Sequence, residues 1–161
     1  MATLTHDSVS LLSDERLTVM GLLLEVQHGV RAIVEPDLEA HGVPGSTFEV
    51  LLRLARSPGG RLRMSDLAAQ STLSNSGLTR VVDRLHAHGC VERIQDGTDR
   101  RVIHAVITEQ GRARVLGVLP AHLATVERTL TAALDPHELD AFVNALRKIR
   151  AVVKPEADPA A

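Results

Sequence analysis

Ser71-Thr72-Leu73-Ser74-Asn75-Ser76-Gly77-Leu78-Thr79-Arg80-Val81-Val82-Asp83-Arg84-Leu85-His86-Ala87-His88-Gly89 is the stretch that decides the fold. Leu78, Val81, Val82 and Leu85 recur at steps of three and four, which puts them on one face of a helix. Ser74 has the side chain of a helix N-cap, and Gly89 is a C-terminal stop. Asn75 to His88 therefore reads as a helix. Just upstream, Ser65 to Gln70 carries Leu67 and Ala68 and reads as a shorter one, with Ser71 to Ser74 as the turn between them. A short helix, a tight turn and a second helix make the helix-turn-helix outline.

Working outward, Cys90 to Gln95 and Arg101 to Ile107 are rich in Val and Ile, and Asp96-Gly97 between them signals a hairpin. Its loop also holds Asp99 and Arg100, so its tip should project into solvent. Leu62, between two arginines, fits a small strand. Upstream, Phe48, Leu51, Leu52 and Ala55 predict a helix opened by a Ser46…Glu49 capping box. Val19, Leu23, Val26, Val30 and Ile33 predict a first helix over roughly 14–34, capped by Ser13 and ended or kinked by Pro36. Leu17, Met20 and Leu24 give that helix a second apolar stripe. Downstream, Thr108 caps a helix over roughly 109–133, and Pro120 inside it predicts a kink. Asp135-Pro136-His137-Glu138 opens a last helix, lined by Leu139, Phe142, Leu146 and Ile149. Met1 to Leu12 and Pro155 to Ala161 read as loose tails.

Of 161 residues, 44% are apolar and 24% charged, as in an ordinary globular protein. No uninterrupted run approaches the roughly 18 apolar residues of a spanning helix, which predicts no membrane partner. The N-terminus shows no basic patch followed by an apolar stretch, so a cytoplasmic location is expected. The single cysteine, Cys90, can form no internal disulfide. Two Phe with no Trp or Tyr argue against stacking platforms for single-stranded nucleic acid. The net charge of −2 hides a gradient: residues 53–101 hold nine Arg against five acids. That basic third coincides with the helix-turn-helix and hairpin, and Arg forks onto phosphate and guanine edges.

The element order predicts a mainly α chain with a small β-hairpin. Residues 46–107 form a winged helix-turn-helix, and 13–41 and 109–153 form flanking dimerisation helices. The flanking helices are richer in apolar residues than one small domain can cover, and the simplest partner is a second copy.

Leu67-Ala68, Ser76 to Leu85, Gly89-Cys90-Val91-Glu92-Arg93, Asp99-Arg100-Arg101 and Thr108-Glu109-Gln110-Gly111 resemble the MarR family of bacterial transcription regulators. Ile107 stands where that family usually has Leu, and Gly77 weakens the recognition helix. The resemblance implies a homodimeric, ligand-responsive repressor that binds double-stranded DNA sequence-specifically. It would need a palindromic operator with half-sites about one helical turn apart. Asn75, Ser76, Thr79 and Arg80, off the apolar face, are expected at base edges, and Arg84 at a phosphate. The alternative for Asn75 and Ser76 is completion of the helix cap. In the wing, the family's Asp-x-Arg pattern falls on Asp99 and Arg101: the acid orients the arginine toward the minor groove, and Arg100 serves a phosphate. The resemblance also implies a small aromatic or anionic effector, for which His28 and Arg31 are candidates.

Arg53, Arg56, Arg61 and Arg63 surround the end of the second helix, where a solvated surface accounts for each of them. The histidines lack metal-ligand spacing, and no cofactor is expected. Cys90 reads as a buried thiol. No enzyme motif is present. The rival readings are a winged-helix module that binds protein instead of DNA, and a metal- or redox-sensing regulator.

Overall fold

The computed structural model describes residues 11–157. Leu67, Leu78 and Val82 sit at its centre, each at most 1% exposed. In chain order the elements are α1 (Glu15–Ala40), α2 (Gly45–Arg56), β1 (Arg61–Arg63), α3 (Met64–Gln70), α4 (Asn75–Ala87), β2 (Val91–Gln95), β3 (Ile103–Ile107), α5 (Glu109–Thr129) and α6 (Pro136–Val153). Short 3-10 turns occupy Pro58–Gly60, Thr131–Ala133 and Pro155–Ala157.

The helix-turn-helix is α3 and α4. Ser74 Oγ accepts the Gly77 N–H at 3.2 Å, and the chain leaves α4 through Gly89 at φ +67°, a conformation that favours glycine. β2 and β3 pair antiparallel, with Val91 opposite Ile107 and Gln95 opposite Ile103. Leu62 belongs to β1, which pairs with the other edge of β3, so the sheet order is β1-β3-β2. Val91, Ala105 and Ile107 are buried on one face of this sheet, which closes on α2, α4 and α5. This is the winged-helix arrangement that the element order predicts.

Several local expectations are corrected by tertiary contacts. α1 does not stop near residue 34 but runs through Pro36 to Ala40. Pro36 removes the N–H that would bond the Ala32 carbonyl. The turn beyond it is held from outside: Leu38 is buried, and Asp37 accepts the Thr125 hydroxyl of α5 at 3.0 Å. The Ser46 capping box does not form; α2 begins at Gly45 after Pro44, with no side-chain cap. Glu49 turns instead to Thr72, accepting its N–H at 2.8 Å and its hydroxyl at 2.6 Å. α5 passes uninterrupted through Pro120 and ends at Thr129, with 131–133 tightened into a 3-10 turn. Asp135 and Glu138 make the full capping box at the start of α6. At the C-terminus, 155–157 is an ordered turn with Ala157 buried, not a loose tail, and the rest of that stretch, 158–161, lies outside the described residues. Leu11 and Leu12 are helical, and the rest of that N-terminal stretch, 1–10, lies outside the described residues.

α1 packs along α5 but covers little of itself. Leu17, Val19, Met20, Leu23 and Val26 are each 45–58% exposed. By length and composition α1 is apolar enough to cross a membrane; counting uninterrupted apolar residues misses this because Glu25, Gln27 and His28 break the run. α6 is amphipathic, yet none of its residues is buried. Leu146 is 39% and Ile149 48% exposed.

Candidate nucleic-acid interface

α4 buries Leu78, Val81, Val82 and Leu85, which turns its other side to solvent. Asn75, Ser76, Thr79, Arg80 and Arg84 are all exposed there. Ser76 Oγ lies 3.3 Å from the capping Ser74 Oγ, so it shares the cap while staying accessible. The Thr79 hydroxyl donates back to the Asn75 carbonyl at 2.9 Å, which leaves its oxygen as an acceptor and its methyl group free for recognition. A Cβ on Gly77 would lie 3.1 Å from Ser74 Oγ: the glycine that weakens the helix lets its cap close tightly. No ion pair among the described residues involves Arg80 or Arg84. Arg93, by contrast, is spent on structure, pairing with Asp83 at 2.9 Å.

The wing tip is built by two carboxylates acting on backbone. Asp96 Oδ1 accepts the Thr98 N–H at 2.9 Å and its hydroxyl at 2.6 Å. Asp99 Oδ1 accepts the Arg101 N–H at 2.9 Å. The expected carboxylate–guanidinium tie from Asp99 to Arg101 is therefore corrected: the acid fixes the arginine's main chain, and the side chains of Asp99, Arg100 and Arg101 remain exposed. A short side chain two residues away reaches the N–H more readily than the end of a long guanidinium arm. At the base of the wing, His104 is buried between Arg61, 3.4 Å from Nε2, and Asp96, 3.9 Å from Nδ1. Arg donates and has no acceptor, so in the Arg61 contact it is Nε2 that accepts.

The hydrogen bonds from Thr98, first its hydroxyl and then its N–H, hold the Asp96 carboxyl down at about 2. A folded-state pKa below the ordinary carboxylate value contributes stability that is present above that value and lost as pH falls through the folded one. The wing turn is thus expected to survive through the range where exposed carboxylates titrate and to open only near pH 2. Following the Thr98 amide by NMR checks this; a midpoint near the ordinary carboxylate value would contradict it.

A second feature is a cleft of about 500 Å3 between α1, α2 and α5. Val34, Leu38 and Phe48 give it an apolar wall, with Arg31 and His122 at its polar parts. Phe48 and His122 rings lie 4.5 Å apart. Burial pushes the His122 imidazole down, against the opposing pull of Asp37. Its buried Nδ1 has no hydrogen-bond partner among the described residues. Arg31 pairs with Glu35 at 2.8 Å. His28 is exposed and does not line the cleft. Burial pushes the Glu49 carboxyl up, but hydrogen bonds from Thr72 and Arg53 outweigh it and leave it below its usual range. His122 and His104 carry no local signal in the sequence, and Glu49 carries only that of a capping box, because their decisive partners lie far along the chain. Cys90 is fully buried. No group of three or more metal-ligating side chains occurs among the described residues.

A model of the MarR family matches residues 41–102. The chain is 30% identical over 112 residues to the transcriptional repressor MprA of Escherichia coli K12, covering 70% of this chain and 63% of that protein. It matches the crystal structure of AbsC, a MarR family transcriptional regulator from Streptomyces coelicolor, with a TM-score of 0.79 and 32% identity, over 89% of this chain and 97% of that one. Sco3205, a MarR family regulator from the same organism solved in complex with DNA, matches with a TM-score of 0.78 and 27% identity, over 89% and 91% of the two chains. BpsR of Bordetella bronchiseptica, whose DNA binding is regulated by 6-hydroxynicotinic acid, matches with a TM-score of 0.71 and 26% identity, over 81% and 91%.

Proposed function

This chain belongs to the MarR family of transcriptional regulators, which are not enzymes, and from that we propose that it is a cytoplasmic, ligand-responsive repressor that reads a palindromic DNA operator as a homodimer. The observation that carries DNA recognition is α4. Its apolar face is wholly buried while Asn75, Ser76, Thr79, Arg80 and Arg84 stand exposed beside a wing that bears Arg100 and Arg101. A winged-helix module that binds protein does not require so basic a face, whereas a phosphate backbone does. The buried Cys90 thiol does not suit a redox sensor.

Residues near the start of a recognition helix reach base edges, and those a turn further on meet the backbone. Asn75, Ser76, Thr79 and Arg80 take the first role and Arg84 the second. Arg101 enters the minor groove, Arg100 meets a phosphate, and Asp99 positions Arg101. Selection from random duplex DNA, followed by footprinting, tests the reading. A two-fold symmetric motif is expected, and no enrichment over random sequence would sink it. On the selected operator, Arg80→Ala should cost roughly 1–3 kcal/mol and relax preference at particular base pairs. Arg84→Ala should weaken all sequences alike and flatten the salt dependence by about one unit. Equal losses on specific and random DNA for both variants would overturn this division of roles.

The wing offers a sharper test. Asp99 acts on a backbone N–H, and the amide oxygen of asparagine can accept the same bond. Asp99→Asn is therefore expected to bind the operator at least as well as the parent, while Asp99→Ala binds more weakly. Loss of binding in Asp99→Asn would show that the charge, not the turn, is what matters. Arg101→Ala should lose most at A·T-rich positions, and adding Asp99→Ala to it should cost nothing more.

Dimerisation rests on the exposed apolar faces of α1 and α6. Burying one Leu, Val or Ile side chain contributes roughly 1.5–3 kcal/mol, and these two helices together leave many uncovered. A second copy covers both α1 stripes at once and explains its apolar composition without a membrane. The α1–α2–α5 cleft takes the effector, a small aromatic acid, with its ring against Phe48 and its carboxylate on Arg31. A ligand of this class regulates BpsR.

A further inference from the structure

Arg56 and Arg63 stand close together in the sequence, but the structure adds a third arginine from the far end of the chain. Arg56 from the last turn of α2, Arg63 from β1 and Arg150 from α6 line one cleft of about 520 Å3. Its apolar parts are Pro58, Leu62 and Ala157. α6 reaches this place because the chain beyond it is pinned to the helix-turn-helix. Lys154 Nζ donates to the carbonyl of Ser71, and Ala157 is 6% exposed in a turn that packs on α3.

Arg53 also borders the cleft, but its charge is answered by Glu49 at 3.0 Å. Arg56, Arg63 and Arg150 have no ion-pair partner among the described residues. Asp66 and Glu156 line the same cleft and pair with none of the three; the Asp66 carboxylate instead accepts the Ser65 hydroxyl at 3.1 Å. The C-terminal carbonyls of α2 account for a cation at Arg56. They do not account for Arg63 and Arg150, which arrive on other elements. An arginine cannot shed its proton, so four arginines against Asp66 and Glu156 leave the lining of this cleft cationic. Guanidinium forks match the paired oxygens of phosphate and carboxylate groups.

We infer that this cleft binds a small multivalent oxyanion of the pyrophosphate or organic-phosphate class. None of its lining residues is shared with the α1–α2–α5 cleft or with the residues assigned to DNA. Its walls come from the winged helix and from α6, so a bound anion bridges the two.

Calorimetric titration of the full chain with inorganic pyrophosphate, at constant ionic strength and near neutral pH, tests the site. Saturable binding with a dissociation constant below about 1 mM is expected, weakened at least about tenfold in the Arg56→Gln, Arg150→Gln double variant. Arg63→Gln should weaken it as well, and melting curves verify that these variants fold. Arg147→Gln, on α6 but outside the cleft, should bind as the parent does. Absence of saturable binding overturns the inference, and so does an equal loss in Arg147→Gln. Repeating the titration with saturating duplex DNA separates a free-anion site from a backbone contact. Binding that persists supports the inference; binding that disappears assigns these arginines to DNA and overturns it.

Discussion

Leu146→Asp combined with Ile149→Asp is expected to leave the chain monomeric and to remove operator binding at concentrations where the parent chain is saturated. The two side chains are 39% and 48% exposed on a helix with no buried residue, so in an isolated chain the change would be almost free. In a dimer it places two charges per chain into an apolar seam, where an unpaired carboxylate costs several kcal/mol. Losing the partner turns a two-site contact into a one-site contact, and the intramolecular advantage of the second half-site is roughly 10²–10⁴-fold. Sedimentation and operator titration should therefore move together. A dimer that survives the double substitution, or a monomer that retains full operator affinity, would refute the assignment of α6 to the interface. The two outcomes are separable because the winged helix keeps its own core of Leu67, Leu78 and Val82. A monomeric variant is expected to retain weak, salt-sensitive DNA binding.

Gly111→Ala is expected to be the most damaging single methyl addition among the described residues. Gly111 is buried in the first turn of α5, where the winged helix joins the long helix. A Cβ there would lie 2.2 Å from the Cys90 carbonyl oxygen and 2.8 Å from Ile107 Cγ1. The first of these is backbone at the entry to β2, which cannot swing aside as a side chain can. The Cys90 carbonyl also accepts the Thr108 N–H at 3.1 Å, and the Thr108 hydroxyl both caps α5 and donates to the Gly89 carbonyl at 2.7 Å. Pushing the strand away would loosen that whole joint. Forced overpacking of this kind costs about 3 kcal/mol or more, which for a chain of this size lowers the melting temperature by roughly 6–12 °C. Thermal unfolding measures it. A variant within about 1 °C of the parent would mean that the joint can slide.

The helix-turn-helix was readable because its signals are local and agree with one another. Leu78, Val81, Val82 and Leu85 mark a buried face, Ser74 caps, and Gly89 stops at positive φ. The same local logic failed at Ser46…Glu49, where the capping-box pattern is present but Glu49 finds Thr72 at 2.6 Å across the fold. It failed again at Pro36, whose missing hydrogen bond is outweighed by contacts of Leu38 and Asp37 with the rest of the molecule. A contact between Asp99 and Arg101 was legible, but a two-residue separation does not say whether a carboxylate will take the guanidinium or the nearer N–H.

Pattern and propensity along the chain thus determined the elements, their order, the exposed face of α4 and the excess of apolar surface on α1 and α6. These follow from periodicity, caps and charge, which act over a few residues. Tertiary structure alone decided which residues distant in sequence meet. It set Phe48 beside His122, lodged His104 between Arg61 and Asp96, added β1 to the hairpin, and carried Arg150 to Arg56 and Arg63 through a C-terminal turn. Such meetings depend on how whole elements pack, and no spacing along the chain encodes a distance between two helices.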